Sequence, residues 1–510
     1  MLSDSDLYLP IRELAGRIRS RQLSPVELTQ SYLDRSQRLG PRLNAYALLL
    51  PELAMQQARE AESEIKAGRY RGPLHGIPYA AKDLLAVKGY PTGWGARPYS
   101  GQRFDFDATV ITRLREAGAV LLGKSAMIEL AGGMGYRFAS ASASGAAKNP
   151  WNESCWTCGS SSGSAAIVSA AMAAFAIGTE TWGSIICPAA FTGISGLRPT
   201  YGRVSRHGAM ALSYSMDKIG PMGRTSDDCA IVLAFIAGHD PQDPASLPPG
   251  QAEFQPGLPL PGLPVQHLPA GHAAAHGQAG RGHRGVPPGG RSGSGPRVIE
   301  ARIISPQQFR VGWLSNAWKS VPAAIMEAMN QAKGVLREHV ASIETVSLPE
   351  GPWETAAGIV IAVEGAAAFE SLINSGGADE LTDPLGRIGG YLNQQIPSSD
   401  FVRAMRIRGV LQKRMNELFD RFDVLVAASL PVTASPLETN LETGLAFADP
   451  LGGIGNFCGL PAVSVPCGWS NKLPVGIQFV GRPLSDATVV AAANVFQENT
   501  DWHRQRPGVG

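Results

Sequence analysis

A chain of 510 residues with 44% hydrophobic and 17% charged residues can bury a large core and has neither a disordered nor a fibrous bias. Length alone suggests roughly two to four domains, although α/β enzymes of this size often build one extended sheet. A formal net charge of +2 without any block of lysines or arginines gives no electrostatic footprint for nucleic acid, so a small-molecule partner is expected.

The N-terminus Met1-Leu2-Ser3-Asp4-Ser5-Asp6 is acidic where a secretory leader is basic, and no apolar run reaches the ~18 residues of a membrane span. Both features predict a cytoplasmic protein without membrane contact. The six cysteines are then expected as thiols. Cys155 and Cys158 form a C-x-x-C pair, but no second pair or suitably spaced histidine completes a zinc set, and no metal is expected.

Ser24-Pro25-Val26-Glu27 combines a serine N-cap, proline at the first helical position and glutamate three residues on, which predicts a helix that Gly40-Pro41 ends. A second helix over 52–67 completes an N-terminal helical region over residues 1–70. Leu74-His75-Gly76-Ile77-Pro78-Tyr79-Ala80-Ala81-Lys82-Asp83 reads as a short apolar strand ending on a lysine. Burial there would push the Lys82 ammonium towards its neutral, basic form. The structural alternative is a surface lysine paired with Asp83. A helix from residue 109 followed by the strand Ala119–Leu122 sets the rhythm of an α/β protein.

Residues 241–300 are rich in proline, glycine and histidine (His267, His272, His276, His283) and lack periodicity, so a long or disordered loop is expected. The histidine spacing is too irregular for a metal tract, and the composition is that of an out-of-frame insertion. Beyond it, strands are predicted at 309–314, 422–426, 460–466 and 474–480. Helices are predicted near 321–339, 353–374, 399–419 and 486–497.

The chemistry concentrates between Cys158 and Pro188. Gly159-Ser160-Ser161-Ser162-Gly163 is not a linker, because apolar segments flank it, and it lacks the lysine and spacing of a phosphate loop. It formally matches the G-x-S-x-G elbow with Ser161 as nucleophile, for which His207, His339 and His503 are considered as bases. The other candidate nucleophile is Ser184, after Thr181-Trp182-Gly183, with the N–H groups of that turn as an oxyanion hole and a desolvated lysine as base through a hydroxyl relay.

Taken together these motifs resemble the amidase signature family of Ser-cisSer-Lys hydrolases. The lysine strand matches at Leu74–Asp83, the glycine/serine loop at Cys158–Ser164 and the nucleophile turn at Gly178–Ala189. Further matches are Gly196–Ser205, Asp217–Met222, Phe422-Asp423 and Gly459–Pro466. The resemblance implies a single α/β/α domain over residues 1–510 around a mixed, mostly parallel β-sheet. It implies Ser184 as nucleophile, Lys82 as base and Ser160, after a cis peptide, as the bridging serine. Thr181, Trp182, Gly183 and Ser184 would supply oxyanion N–H groups. Gly132, Gly133 and Met134 would line the substrate pocket with Trp182 and Ile186, and no cofactor is required.

Departures from the family pattern bear on specificity. Trp182 stands where the family has glycine, Glu180 where it has aspartate, and Cys158 and Ser162 where it has loop glycines. Ile186 occupies a position where many members carry an arginine that anchors a substrate carboxylate. The expectation is therefore a hydrolase, monomeric or homodimeric, of a neutral or apolar small-molecule amide. Aryl or alkyl amides fit, and carbamates, urethanes or esters are open to the same attack through an acyl-enzyme on Ser184. The alternative is the glutaminase subunit of a tRNA-dependent amidotransferase, against which Ile186 argues. A Ser161 elbow hydrolase and a catalytically silent assembly protein are the remaining readings.

Overall fold

The computed structural model describes residues 2–255, 306–445 and 448–509. Among the described residues, eleven strands join into one twisted sheet. They are β1 (Tyr46–Leu49), β2 (Pro78–Lys82), β3 (Val120–Ser125), β4 (Phe175–Glu180), β5 (Ser195–Arg198), β6 (Lys218–Gly223), β7 (Arg310–Leu314), β8 (Ser342–Val346), β9 (Val424–Ala428), β10 (Ala462–Ser470) and β11 (Leu473–Val480). Their spatial order is β1-β3-β2-β4-β6-β5-β10-β11-β9-β7-β8. The sheet is mixed and the fold is α/β: β3, β2 and β4 run parallel, as do β9, β7 and β8, and antiparallel pairings connect these two groups. Strands from before and after the histidine-rich segment thus share one sheet.

The strand sequences explain their place. Every residue of β2, β3, β4, β6 and β9 is buried, the mark of strands covered on both faces by helices. The helix Ser162–Ser169 packs on β2, β3 and β4, and Asp486–Glu498 packs on β10. Small residues allow the first of these helices to lie close to the sheet. Gly163 is the tightest point: its N–H donates to the Ala126 carbonyl, and a Cβ there would collide with the Ala45 carbonyl and the Ala126 backbone.

Several predicted boundaries shift for local reasons. Ser24 caps its helix by accepting from the N–H groups of Val26 and Glu27, but the helix runs on through Gly40-Pro41 to Leu43. Pro41 forfeits only its own N–H one turn before Asn44, at φ +49°, closes the helix, and Gly40 makes room for the Tyr46 ring. The small-residue helix Ser162–Ser169 is short, and Ala171 at φ +52° turns the chain into β4. Residues 241–255 form turns without helix or strand; the remainder of the histidine-rich segment, with His267, His272, His276 and His283, lies outside the described residues. No helix among the described residues is long and apolar enough to cross a membrane.

Gly163→Ala should lower unfolding free energy by about 3 kcal/mol, because the obstructing atoms are backbone and cannot rotate away. Urea denaturation measures this; a change under about 0.5 kcal/mol would show that the helix–sheet spacing is not fixed at this residue.

Candidate active site

β2 and β4 are parallel neighbours, so their C-terminal ends emerge on one edge of the sheet, the usual place for a site in such folds. β2 ends at Lys82, whose side chain is fully buried. Its Nζ donates to Ser160 Oγ at 2.7 Å, to Thr179 Oγ1 at 2.9 Å and to Ser161 Oγ at 3.0 Å. Burial lowers the Lys82 pKa to about 7, against the smaller opposing pull of Asp217 and Glu180. At that value a large fraction of the amine is neutral near physiological pH. Three neutral hydroxyls rather than a carboxylate surround the nitrogen, so none of its hydrogen-bond partners offsets the desolvation with charge.

Ser160 follows a cis peptide from Gly159. Its hydroxyl lies 3.0 Å from Ser184 Oγ, which completes a chain from Lys82 through Ser160 to Ser184. Along this chain a neutral amine can draw a proton from Ser160 while Ser160 draws one from Ser184. Ser184 sits in the turn after β4, where Gly183 adopts φ +81° and reverses the chain. Consecutive N–H groups in a turn of this kind form a concavity suited to a developing anion.

That turn rests on a buried ion pair. Glu180 Oε2 accepts from the N–H groups of Ile185 and Ile186, each at 2.9 Å, while Oε1 accepts from Arg198 at 2.8 Å and Asn456 Nδ2 at 3.0 Å. Burial raises the Glu180 pKa, but Arg198 and the backbone donors override it and bring it down to about 2. Thr181 Oγ1 donates to Asp217 Oδ1 at 2.5 Å. The Trp182 indole N–H donates to Asp449 Oδ2 at 2.9 Å, and its ring lies over Gly453. Burial raises the Asp449 carboxyl to about 6 despite the donors from Gly452 and Trp182.

The structure therefore brings Lys82, Ser160, Ser184 and the Thr181–Ser184 turn together, with Trp182 and Ile186 beside Ser184. Ile186 is buried and its N–H is occupied by Glu180. Gly132 ends a short 3-10 turn and Gly133 and Met134 follow it, and all three are engaged in packing: Gly132 against the Tyr136 ring, Gly133 against Leu212 and Phe369, Met134 against Gly389 and Gly390. A cavity of about 200 Å³ opens beside the site, lined by Thr179, Thr181, Ala131, Met210, Leu212 and Asp217 among others. Ser161 is fully buried and bonds to Lys82 and Thr179, not to any of the three histidines considered as elbow bases.

Sequence reasoning missed Thr179 and the second role of Ser161 as holders of Lys82, together with the Glu180–Arg198–Asn456 support. It also expected six thiols. Cys158 and Cys187 instead form a disulfide, because the two loops bring their Cα atoms to 5.9 Å, within bridging distance, across a sequence separation of 29. Cys155, Cys229, Cys458 and Cys467 are buried free thiols. Among the described residues no His, Cys, Asp or Glu cluster could hold a metal ion.

Fold and sequence together define the class: the chain belongs to the Amidase family, whose family model matches residues 27–259 and 288–490, and it is an amidohydrolase-type enzyme. It is 34% identical to a glutamyl-tRNA(Gln) amidotransferase subunit from Chloroflexus aggregans, over 98% of each chain. Among solved structures it is similar to the native peptide amidase of Stenotrophomonas maltophilia, at 30% identity and a TM-score of 0.78 over 98% of each chain. It is also similar to the corresponding glutamyl-tRNA(Gln) amidotransferase subunit of Thermotoga maritima, at 25% identity and a TM-score of 0.73, covering 98% of this chain and 96% of that one.

These relatives correct two expectations. A hydrolase of neutral or apolar small-molecule amides, carbamates or esters is not what the curated relatives indicate; they are by name subunits of a glutamyl-tRNA(Gln) amidotransferase. The expectation of a small-molecule amide as the lone partner of a monomer or homodimer, with no nucleic acid, falls with it. The error came from Ile186: one missing guanidinium was weighed as a substrate determinant against similarity that extends over the entire chain.

Arg198→Met strands the buried Glu180 carboxylate and should cost about 3 kcal/mol of stability at pH 7. Because Glu180 is held below its ordinary range when paired, that contribution is present above the unfolded carboxylate pKa and lost as pH falls towards 2, so the deficit should narrow in acid. Denaturant titrations at several pH values measure it, and a deficit that stays constant down to pH 3 would contradict the pairing.

Proposed function

We propose that this chain is the glutaminase subunit of a tRNA-dependent amidotransferase, with Ser184 as nucleophile, Ser160 as bridging serine and Lys82 as base. The observation that carries the chemistry is the unbroken hydrogen-bond chain, 2.7 Å from Lys82 to Ser160 and 3.0 Å from Ser160 to Ser184. The choice of glutamine, of glutamyl-tRNA and of a partner subunit rests on the full-length relatives and their names. A cytoplasmic location goes with this reading.

Neutral Lys82 accepts a proton from Ser160 as Ser160 accepts one from Ser184, and Ser184 Oγ attacks the side-chain amide carbon of glutamine. The N–H groups of Thr181, Trp182, Gly183 and Ser184 take the oxyanion, at roughly 3 kcal/mol for each well-placed donor. The proton path then reverses, ammonia leaves, and water hydrolyses the resulting acyl ester on Ser184. Of the expected wall residues Gly132, Gly133, Met134, Trp182 and Ile186, the reading keeps Trp182 and Ile186 beside Ser184, and the cavity next to them is lined instead by Thr179, Thr181, Ala131, Met210, Leu212 and Asp217. Since Ile186 offers no cation, the reading requires another positive group for the glutamine carboxylate.

Ammonia release from glutamine should rise when the chain is combined with glutamyl-tRNA and the partner subunit from the same source. In that assembly Ser184→Ala should fall by at least about a thousandfold. Full-rate cleavage of neutral aryl amides by the chain alone, with no glutamine turnover in any mixture, would refute the reading.

A further inference from the structure

Cys158 stands two residues before Ser160, and Cys187 stands three residues after Ser184. Their disulfide closes a loop that contains both serines of the proton path. Lys82 is fixed from a third element by three hydroxyls, so the Ser160–Ser184 separation depends on how the two loops sit against each other. Each loop has its own anchor. The Ser160 carbonyl accepts from the Ile128 N–H at 3.2 Å, and Gly159 packs on Ile128 and Trp156. The nucleophile turn hangs from Glu180 and closes on itself through Cys187 N–H to Gly183 O at 2.8 Å. Among the described residues, the covalent and hydrogen-bonded links that join residues 157–160 directly to 181–187 are the disulfide and the Ser160–Ser184 bond itself.

We propose that Cys158 and Cys187 are positioning residues for the reaction, their disulfide setting Ser160 against Ser184, and that opening the bridge with a dithiol slows acylation of Ser184. The proposal rests on the assignment of Ser184 and Ser160 given above. Cys187 is half-buried while Cys158 is buried, so exchange begins at the Cys187 sulfur. A thiolate of the dithiol attacks Cys187 Sγ, the bond to Cys158 breaks, and Cys158 leaves as a thiolate that takes a proton. The second thiol of the reagent then resolves the mixed disulfide, releasing Cys187 as a thiol while the reagent closes its own disulfide. Two electrons pass from reagent to protein, and glutathione disulfide reverses the exchange.

The test uses a fluorophosphonate probe on the full chain, with peptide mapping and circular dichroism at each step. Reduction of the native protein should lower the maximal labelling rate of Ser184 about ten- to a hundredfold, the scale of a displacement near 1 Å, with probe affinity changed less than about twofold. Glutathione disulfide should restore the rate. Cys158→Ser/Cys187→Ser should begin at the lowered rate and respond to neither reagent. Reduced protein that labels at the full rate overturns the proposal, as does reduced protein that loses its rate only by unfolding. Absence of label on Ser184 in the oxidised protein overturns instead the nucleophile assignment beneath it, and is recognised before any reductant is added.

Discussion

Everything at this site follows from placing one lysine where water cannot reach it. Lys82 ends a strand whose every residue is buried, and its nitrogen meets hydroxyls rather than a carboxylate. Holding an amine at a pKa of about 7 instead of 10.5 corresponds to about 5 kcal/mol of lost ammonium stabilisation. A direct carboxylate partner would cancel that effect. Asp83, next in the chain, bonds instead to Lys124 at 3.0 Å, so the neighbouring acid is spent on a different cation.

The Thr181–Ser184 turn follows the opposite electrostatic strategy. Glu180 is as deeply buried as Lys82 but is kept fully ionised by Arg198, and its two oxygens then serve as fixed acceptors for Ile185, Ile186 and Asn456. One buried charge is suppressed by desolvation; the other is preserved and holds backbone. The parallel pairing of β2 and β4 puts the two arrangements at the same sheet edge.

The α/β rhythm, the lysine strand and the serine-rich loop were legible in the sequence because each is a local pattern: apolar runs, a terminal lysine, hydroxyls between glycines. Boundaries were less so, since Pro41 is tolerated inside a helix only for its position one turn from the end. What depended on contacts across the chain was invisible. Nothing in the sequence pairs Cys158 with Cys187 or Glu180 with Arg198, and Thr179 is an ordinary strand residue until β4 is laid beside β2. Ile186 shows the converse hazard: a local substitution was legible, yet it did not determine the kind of protein to which the chain is similar.

The claim that Lys82 is the base, acting through Ser160 on Ser184, is tested most directly by the pH dependence of fluorophosphonate labelling at Ser184. A base with a pKa of about 7 makes the rate climb with pH up to about 7 and level off above it, as the ammonium loses its proton. Lys82→Ala should lower the plateau and remove that limb. An unchanged limb in Lys82→Ala, or a wild-type rate that climbs only above pH 9, would contradict the account.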